Sequence, residues 1–186
     1  MKNVIMIHGY NGIPKIYEWL KEQLEQKGYQ IFIPKFGIQE DVIYDNWSII
    51  FDDYKNYINE ETIIIAHSIG NEFIIKYLAK NNIKIKMYIG LAGFANSFEI
   101  EEREDLNRAI KDFLVNKNEI DIFKKLVGRK YSIYSDNDHI VPFEVLKEYP
   151  KIIEAESRLI NGIGHMGKKS GLETIPEVLE IIDDNN

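Results

Sequence analysis

Thr62-Ile63-Ile64-Ile65-Ala66-His67-Ser68-Ile69-Gly70 is the stretch on which the fold turns. Its first five residues are apolar on both sides of a strand, apart from the β-branched Thr62, which suits a parallel sheet covered on both faces. Phe73, Ile74, Tyr77 and Leu78 then recur with helical spacing, so a strand passes directly into a helix through Ser68. That passage is the setting of a nucleophile elbow, a sharp turn that lifts a serine hydroxyl clear of the sheet. Such a turn needs small residues two places away on each side. Gly70 meets the need fully, and Ala66 meets it with one extra methyl, so the pattern reads A-x-S-x-G. The competing reading is a serine that only caps the following helix.

Outward from this point, short apolar runs alternate with longer amphipathic stretches. Strands are predicted at 3–8, 30–34, 62–67, 86–91, 130–135 and 157–160. Ile16, Trp19, Leu20 and Leu24 form one helical stripe ending near Gly28, and Trp47, Ile50, Tyr54 and Tyr57 form another. Alternation of this kind predicts an α/β fold: a three-layer α/β/α sandwich around a mainly parallel, six-stranded sheet with right-handed crossovers. At 186 residues, with no internal repeat or linker, the chain reads as a single domain over 1–186. One stretch, 94–126, breaks the alternation. Leu106, Ile110, Phe113 and Leu114 mark a helix there, with Glu99, Glu101, Glu102, Arg103, Glu104 and Asp105 crowding its approach and outer face. It reads either as a solvated helix or as a small helical lid over the sheet's carboxyl edge, where open α/β sheets bind ligands.

Composition removes several classes of function. The formal net charge is -7, from 23 Lys+Arg against 30 Asp+Glu, which disfavours nucleic-acid and anionic-membrane binding. There is no cysteine, so disulfides, thiol nucleophiles and thiolate metal sites are excluded. The opening run Val4-Ile5-Met6-Ile7 is too short for a signal-peptide core, and no apolar run approaches membrane-spanning length. A cytoplasmic protein is the expectation.

A serine hydroxyl is a weak nucleophile until a base takes its proton. In a sheet of this kind the partners should follow in the order acid, then histidine, each beyond a later strand. Ser135-Asp136-Asn137-Asp138-His139-Ile140-Val141-Pro142 follows the fifth predicted strand, and Asn161-Gly162-Ile163-Gly164-His165 follows the sixth. His165 is the candidate base. Asp138 is favoured over Asp136 as its partner, since Asp138 stands in a D-x-x-V-P turn while Asp136 suits an Asx turn. Two backbone N–H groups should form an oxyanion hole: Ile69, directly after the nucleophile, and Tyr10, in His8-Gly9-Tyr10-Asn11-Gly12 after the first strand. His8 and His67 read as structural, and His139 as a minor competitor for the base.

These motifs resemble the α/β-hydrolase superfamily, and within it the retinoblastoma-binding-protein-9-like serine hydrolases. The likeness rests on Ile7-His8-Gly9-Tyr10 with Trp19-Leu20, on Trp47 about twenty residues before the elbow, and on Asp138-His139-Ile140-Val141-Pro142. Gly164-His165-Met166, Ser170-Gly171 and Ile175-Pro176-Glu177 complete it. It implies a compact hydrolase with at most a small lid, no metal or organic cofactor, and Ser68, Asp138 and His165 as a catalytic triad. Three residues depart from the family pattern: Ala66 for glycine, His139 for proline and Met166 for an aromatic.

The function expected is therefore a carboxylesterase-like serine hydrolase that forms an acyl-enzyme on Ser68. Its partner would be a small-molecule acyl substrate, with thioesters and amides as further substrates and acyl transfer as a variant of the same chemistry. The alternative is a protein-interaction module on a hydrolase fold, with the acidic segment 99–112 as its contact surface.

Overall fold

The computed structural model describes residues 2–185. Six strands form one sheet: β1 (Asn3–Ile7), β2 (Gln30–Phe32), β3 (Ile63–His67), β4 (Ile85–Leu91), β5 (Val127–Ser135) and β6 (Glu156–Ile160). Every pairing is parallel, in the order β2-β1-β3-β4-β5-β6. Seven α-helices cover it among the described residues: α1 (Ile16–Gln26), α2 (Tyr44–Asp52), α3 (Ile69–Asn81), α4 (Glu104–Phe113), α5 (Lys117–Leu126), α6 (Phe143–Ile153) and α7 (Pro176–Asp183). No described helix is long and apolar enough to cross a membrane.

The order of the strands dictates which helix lies where. From β1 the chain steps outward to β2, and every later crossover runs the opposite way. Right-handed crossovers therefore put α1 on one face and α2 to α6 on the other. Lys27 at the end of α1 forms an ion pair with Asp183 of α7 at 2.9 Å, which places α7 beside α1. The reversal falls between β1 and β3. Neighbouring loops diverge there, and a crevice opens beyond the carboxyl ends of the strands.

All six predicted strands are present; β2 ends at Phe32 rather than 34, and one further strand boundary and one helix boundary differ for physical reasons. β5 begins at Val127 rather than 130, because its amino end is held by register with β4 (Ile85 opposite Val127) despite Gly128 and Arg129 interrupting the apolar pattern. α2 stops at Asp52, and the stripe that continues to Tyr57 is carried by a 3₁₀ turn, Lys55–Tyr57. The stretch 94–126 resolves into two helices. Phe123 of α5 meets the Tyr88 ring edge-on at 5.2 Å, so α5 is a layer helix of the sandwich. α4 lies beside the crevice.

Trp47 is fully buried and ties this face together. Its ring stacks on Phe36 at 4.4 Å and meets His8, Phe73 and Phe113 edge-on at 5.3, 5.5 and 5.1 Å. One aromatic side chain thus joins α2, α3, α4 and the loop after β1, and its indole N–H donates to the Gly37 carbonyl at 3.0 Å.

Beneath the turn into α3 lies a polar chain that reading the sequence missed. The Asn71 amide donates to the Ser68 and Leu91 carbonyls at 2.7 and 3.1 Å. Its carbonyl accepts from the Tyr88 hydroxyl, and Tyr149 in α6 donates in turn to the Tyr88 oxygen at 2.5 Å. Asn71 and Tyr149 are fully buried and every group has a partner, so the chain fixes the turn without a desolvation penalty left over. Tyr88→Phe strips the Asn71 carbonyl of its donor and is expected to cost about 1–3 kcal/mol in urea unfolding. Tyr149→Phe leaves that bond in place and should cost less; equal losses would contradict the order of donors.

Candidate active site

Ser68 stands between β3 and α3 with φ 54° and ψ -130°, a region that residues with a side chain rarely occupy. Its N–H donates to the Leu91 carbonyl at 2.9 Å, tying the turn to the end of β4. Gly70 is obligatory here: a Cβ at that position would stand 2.7 Å from the His8 carbonyl oxygen. Ala66, by contrast, sits fully buried between Ile7 and Gly90 in register, and its methyl is accommodated.

The two later loops bring their side chains to this turn. His165 Nδ1 is 2.8 Å from Asp138 Oδ2, and His165 Nε2 is 3.0 Å from Ser68 Oγ. Asp138 Oδ1 accepts from the N–H groups of Ile140 and Val141 at 2.8 and 3.0 Å. The D-x-x-V-P spacing thus builds a carboxylate cradle. Burial pushes the Asp138 carboxyl up, but the His165 hydrogen bond and charge and the two amides outweigh it and hold the group below its ordinary value. An ionised Asp138 only accepts, so Nδ1 carries the imidazole proton and Nε2 is free to take the Ser68 proton.

Asp136 does not touch His165. It accepts from the Gly162 N–H at 2.8 Å, while Asn137 Oδ1 accepts from the Gly164 N–H at 2.8 Å. Together they lash the acid loop to the histidine loop. Gly162, Gly164 and Met166 all have positive φ, which lets the chain double back around His165.

The loop after β1 forms the opposite wall. His8 Nδ1–H donates to the Gly9 carbonyl at 2.8 Å and Nε2 accepts from the Phe36 N–H at 3.1 Å, so its ring is a neutral brace; burial lowers its pKa. A Cβ on Gly9 would come within 2.8 Å of His67 Nδ1 and 3.0 Å of Ser68 Cβ. Only glycine permits that approach. The Tyr10 hydroxyl donates to Asp105 in α4 at 2.5 Å, and burial followed by this bond pushes the phenol up to about 12. Among the described residues, neither the Tyr10 nor the Ile69 N–H donates to any backbone or side-chain acceptor. The cavity between these walls measures about 250 Å³ and is bordered by Tyr10, Ser68, Leu106, Ile140 and His165. His139 lies on the rim, its ring 6.4 Å from that of His165.

His67, read from the sequence only as structural, holds the histidine loop directly. Its Nε2 donates to the His165 carbonyl at 2.8 Å and its ring meets the His165 ring at 4.9 Å. Among the described residues its buried Nδ1 has no partner. Burial, helped by the neighbouring His165, lowers the His67 pKa to about 3, so the ring stays neutral.

A parallel α/β/α sandwich with a serine on a strained strand-to-helix turn defines an α/β-hydrolase. The chain belongs to the serine hydrolase family, whose pattern it matches over residues 4–184. It is similar to YdeN of Bacillus subtilis (strain 168), a hydrolase by provisional name: 25% identical over 189 residues, covering 97% of this chain and 94% of YdeN. The crystal structure of YdeN superposes with a TM-score of 0.85 at 24% identity, over 100% of this chain and 98% of that one. The same fold recurs at TM-score 0.71 and 16% identity in Est1E from Butyrivibrio proteoclasticus, a structure holding ferulic acid, over 100% of this chain and 89% of that one. It recurs again at TM-score 0.70 and 14% identity in a carboxylesterase structure from Nitrososphaera gargenis, over 98% of this chain and 88% of that one.

The state of His67 has a measurable consequence. Below its ordinary value of 6.5 the unfolded chain binds a proton there, whereas the folded protein does so only near 3. The unfolded state therefore binds more protons across that window, and folding stability falls as the pH falls through it. His67→Gln, which keeps a donor toward the His165 carbonyl, should flatten stability against pH between 6.5 and 3 in urea titrations. His8 contributes in the same direction and should leave a residual slope. An unchanged slope would show that His67 is charged in the folded protein.

Proposed function

We propose that the chain is a carboxylesterase-like serine hydrolase whose catalytic residues are Ser68, His165 and Asp138. The observation that carries this reading is the unbroken hydrogen-bonded run from Asp138 through His165 to Ser68, at 2.8 and 3.0 Å. Hydrolase chemistry of the family supports it, and ester cleavage is the finer assignment made here.

In this mechanism His165 Nε2 takes the hydroxyl proton as Ser68 Oγ attacks the ester carbonyl carbon. Asp138 holds the imidazole's tautomer and stabilises the imidazolium that forms. Negative charge collects on the carbonyl oxygen, which the unengaged N–H groups of Tyr10 and Ile69 receive; each such donor is worth about 10²–10³ in rate. The positive end of α3 lies behind Ile69 and adds to that stabilisation. The intermediate collapses as His165 returns the proton to the departing alkoxide, leaving an acyl-Ser68 ester. Water, deprotonated by His165, then attacks that ester, and His165 returns the proton to Ser68 Oγ as the acyl–Oγ bond breaks and the acid leaves. The cavity of about 250 Å³ suits an ester of a small acyl group and a small alcohol. Where α4 borders it, around Arg103 and Leu106, is the part of 94–126 that would cover a bound ester.

A fluorophosphonate probe tests the reading, because it phosphonylates only an activated serine. The wild-type protein should be labelled and Ser68→Ala should not, while Asp138→Asn should lower kcat/KM for a small chromogenic ester by about 10³–10⁴-fold. An unlabelled, folded wild type would instead favour the interaction-module reading.

A further inference from the structure

The charge of the cleft runs against that of the chain. The formal net charge is -7, yet the charged side chains bordering the cavity beside Ser68 are Arg103, Lys168 and Lys169, with no Asp or Glu among the described lining residues. The two carboxylates bonded to lining side chains are already committed. Asp138 is closed over by His165 and two backbone amides, with its side chain only 1% exposed. Asp105 accepts from Tyr10 and from Nε and Nη2 of Arg103, the last two at 3.1 and 3.2 Å.

Arg103 is thereby balanced. Lys168 and Lys169 are not: both are exposed, and among the described residues neither has an ion pair or hydrogen bond through its ammonium group. Nor are they on a loosely tethered segment. The Ser170 N–H and hydroxyl both donate to the Gly167 carbonyl, at 3.0 and 2.8 Å, closing a four-residue turn with Lys168 and Lys169 at its two central positions. The turn begins two residues after His165, and a Cβ on Gly167 would stand 3.3 Å from the His67 ring and 3.5 Å from the His165 ring. Two adjacent cations repel each other, and among the described residues no carboxylate pairs with either of them. They do share one feature: both border the cavity that contains Ser68 Oγ.

We propose that the substrate is a small ester bearing a carboxylate, which Lys168 and Lys169 hold at the mouth of the cleft while its ester carbonyl meets Ser68. The proposal rests on the acyl-enzyme reading above and narrows it. The carboxylate can belong to the acyl half or to the alcohol half of the ester, since the turn borders the cavity rather than one end of it. Long, flexible ammonium side chains suit a carboxylate that must also be released, because they form solvated contacts rather than a closed bidentate clamp.

Two matched pairs of esters distinguish these outcomes. Ethyl hydrogen succinate against ethyl pentanoate places the charge in the acyl half; 4-acetoxybenzoate against 4-acetoxyacetophenone places it in the alcohol half. In one arm the wild-type protein should prefer the anionic ester in kcat/KM by about tenfold, the size expected of two solvent-exposed charges near a third. That preference should shrink at about 1 M salt. It should disappear in the Lys168→Gln/Lys169→Gln double variant and persist in Lys168→Arg/Lys169→Arg, which keeps the charge. A wild type that favours the neutral ester in both arms would overturn the proposal, as would a preference that survives in the glutamine pair. Fluorophosphonate labelling separates the two levels of failure. A labelled Ser68 with neutral preference defeats only the charge assignment, whereas an unlabelled Ser68 with no turnover of any ester defeats the acyl-enzyme reading and this proposal with it.

Discussion

Ser68 is held at φ 54° and ψ -130°, a backbone state that costs about 1–3 kcal/mol and relaxes unless its neighbours forbid it. The surroundings of the turn are arranged to forbid it. Leu91 accepts the Ser68 N–H, Asn71 donates to the Ser68 carbonyl, and Tyr88 and Tyr149 orient Asn71 from below. Gly70 lets α3 start hard against the end of β1. The strain is thus distributed into β4, α3 and α6, three elements of the rigid core. A hydroxyl placed on such a turn keeps its position when the loops around it breathe.

The remaining parts of the site are loops, and each is pinned by polar contacts rather than by packing alone. His8 and Trp47 fix the root of the loop after β1, and Asp105 fixes its tip through Tyr10. Asp136 and Asn137 lash the acid loop to the histidine loop, and His67 holds the His165 carbonyl from the sheet side. The imidazole that faces Ser68 is therefore located by contacts on three sides. Reaction geometry tolerates little displacement, so this division of labour between a strained turn and braced loops suits the chemistry proposed for Ser68. The same economy leaves Lys168 and Lys169 conspicuous, as the lining cations that brace nothing.

Much of this was legible in the sequence because it rests on local rules. Thr62 to Gly70 announces strand, turn and helix through apolar run, small residues and helical spacing. Asp138 stood out from Asp136 through its D-x-x-V-P turn. The Asx turn expected of Asp136, however, is made by Asp138 itself, whose Oδ1 accepts from the Ile140 and Val141 N–H groups, while Asp136 reaches the distant Gly162 N–H. Other features depend on contacts between distant residues. The Asn71–Tyr88–Tyr149 chain joins positions far apart in sequence, each of which reads as an ordinary helix or strand residue. Tyr10 meeting Asp105 across 95 positions is equally silent. One omission was avoidable: α5 opens with a capping box, Asn116 and Glu119, a local signal hidden behind the stronger periodicity of α4.

The central claim is that the acyl group passes through Ser68. Acid quenching during turnover of 4-nitrophenyl acetate, followed by proteolysis and mass spectrometry, tests it most directly. The account predicts an acetyl group on the peptide containing Ser68, formed with the first equivalent of nitrophenol released and absent from Ser68→Ala. Acetyl found on another residue during productive turnover, or undiminished turnover by Ser68→Ala, would contradict it.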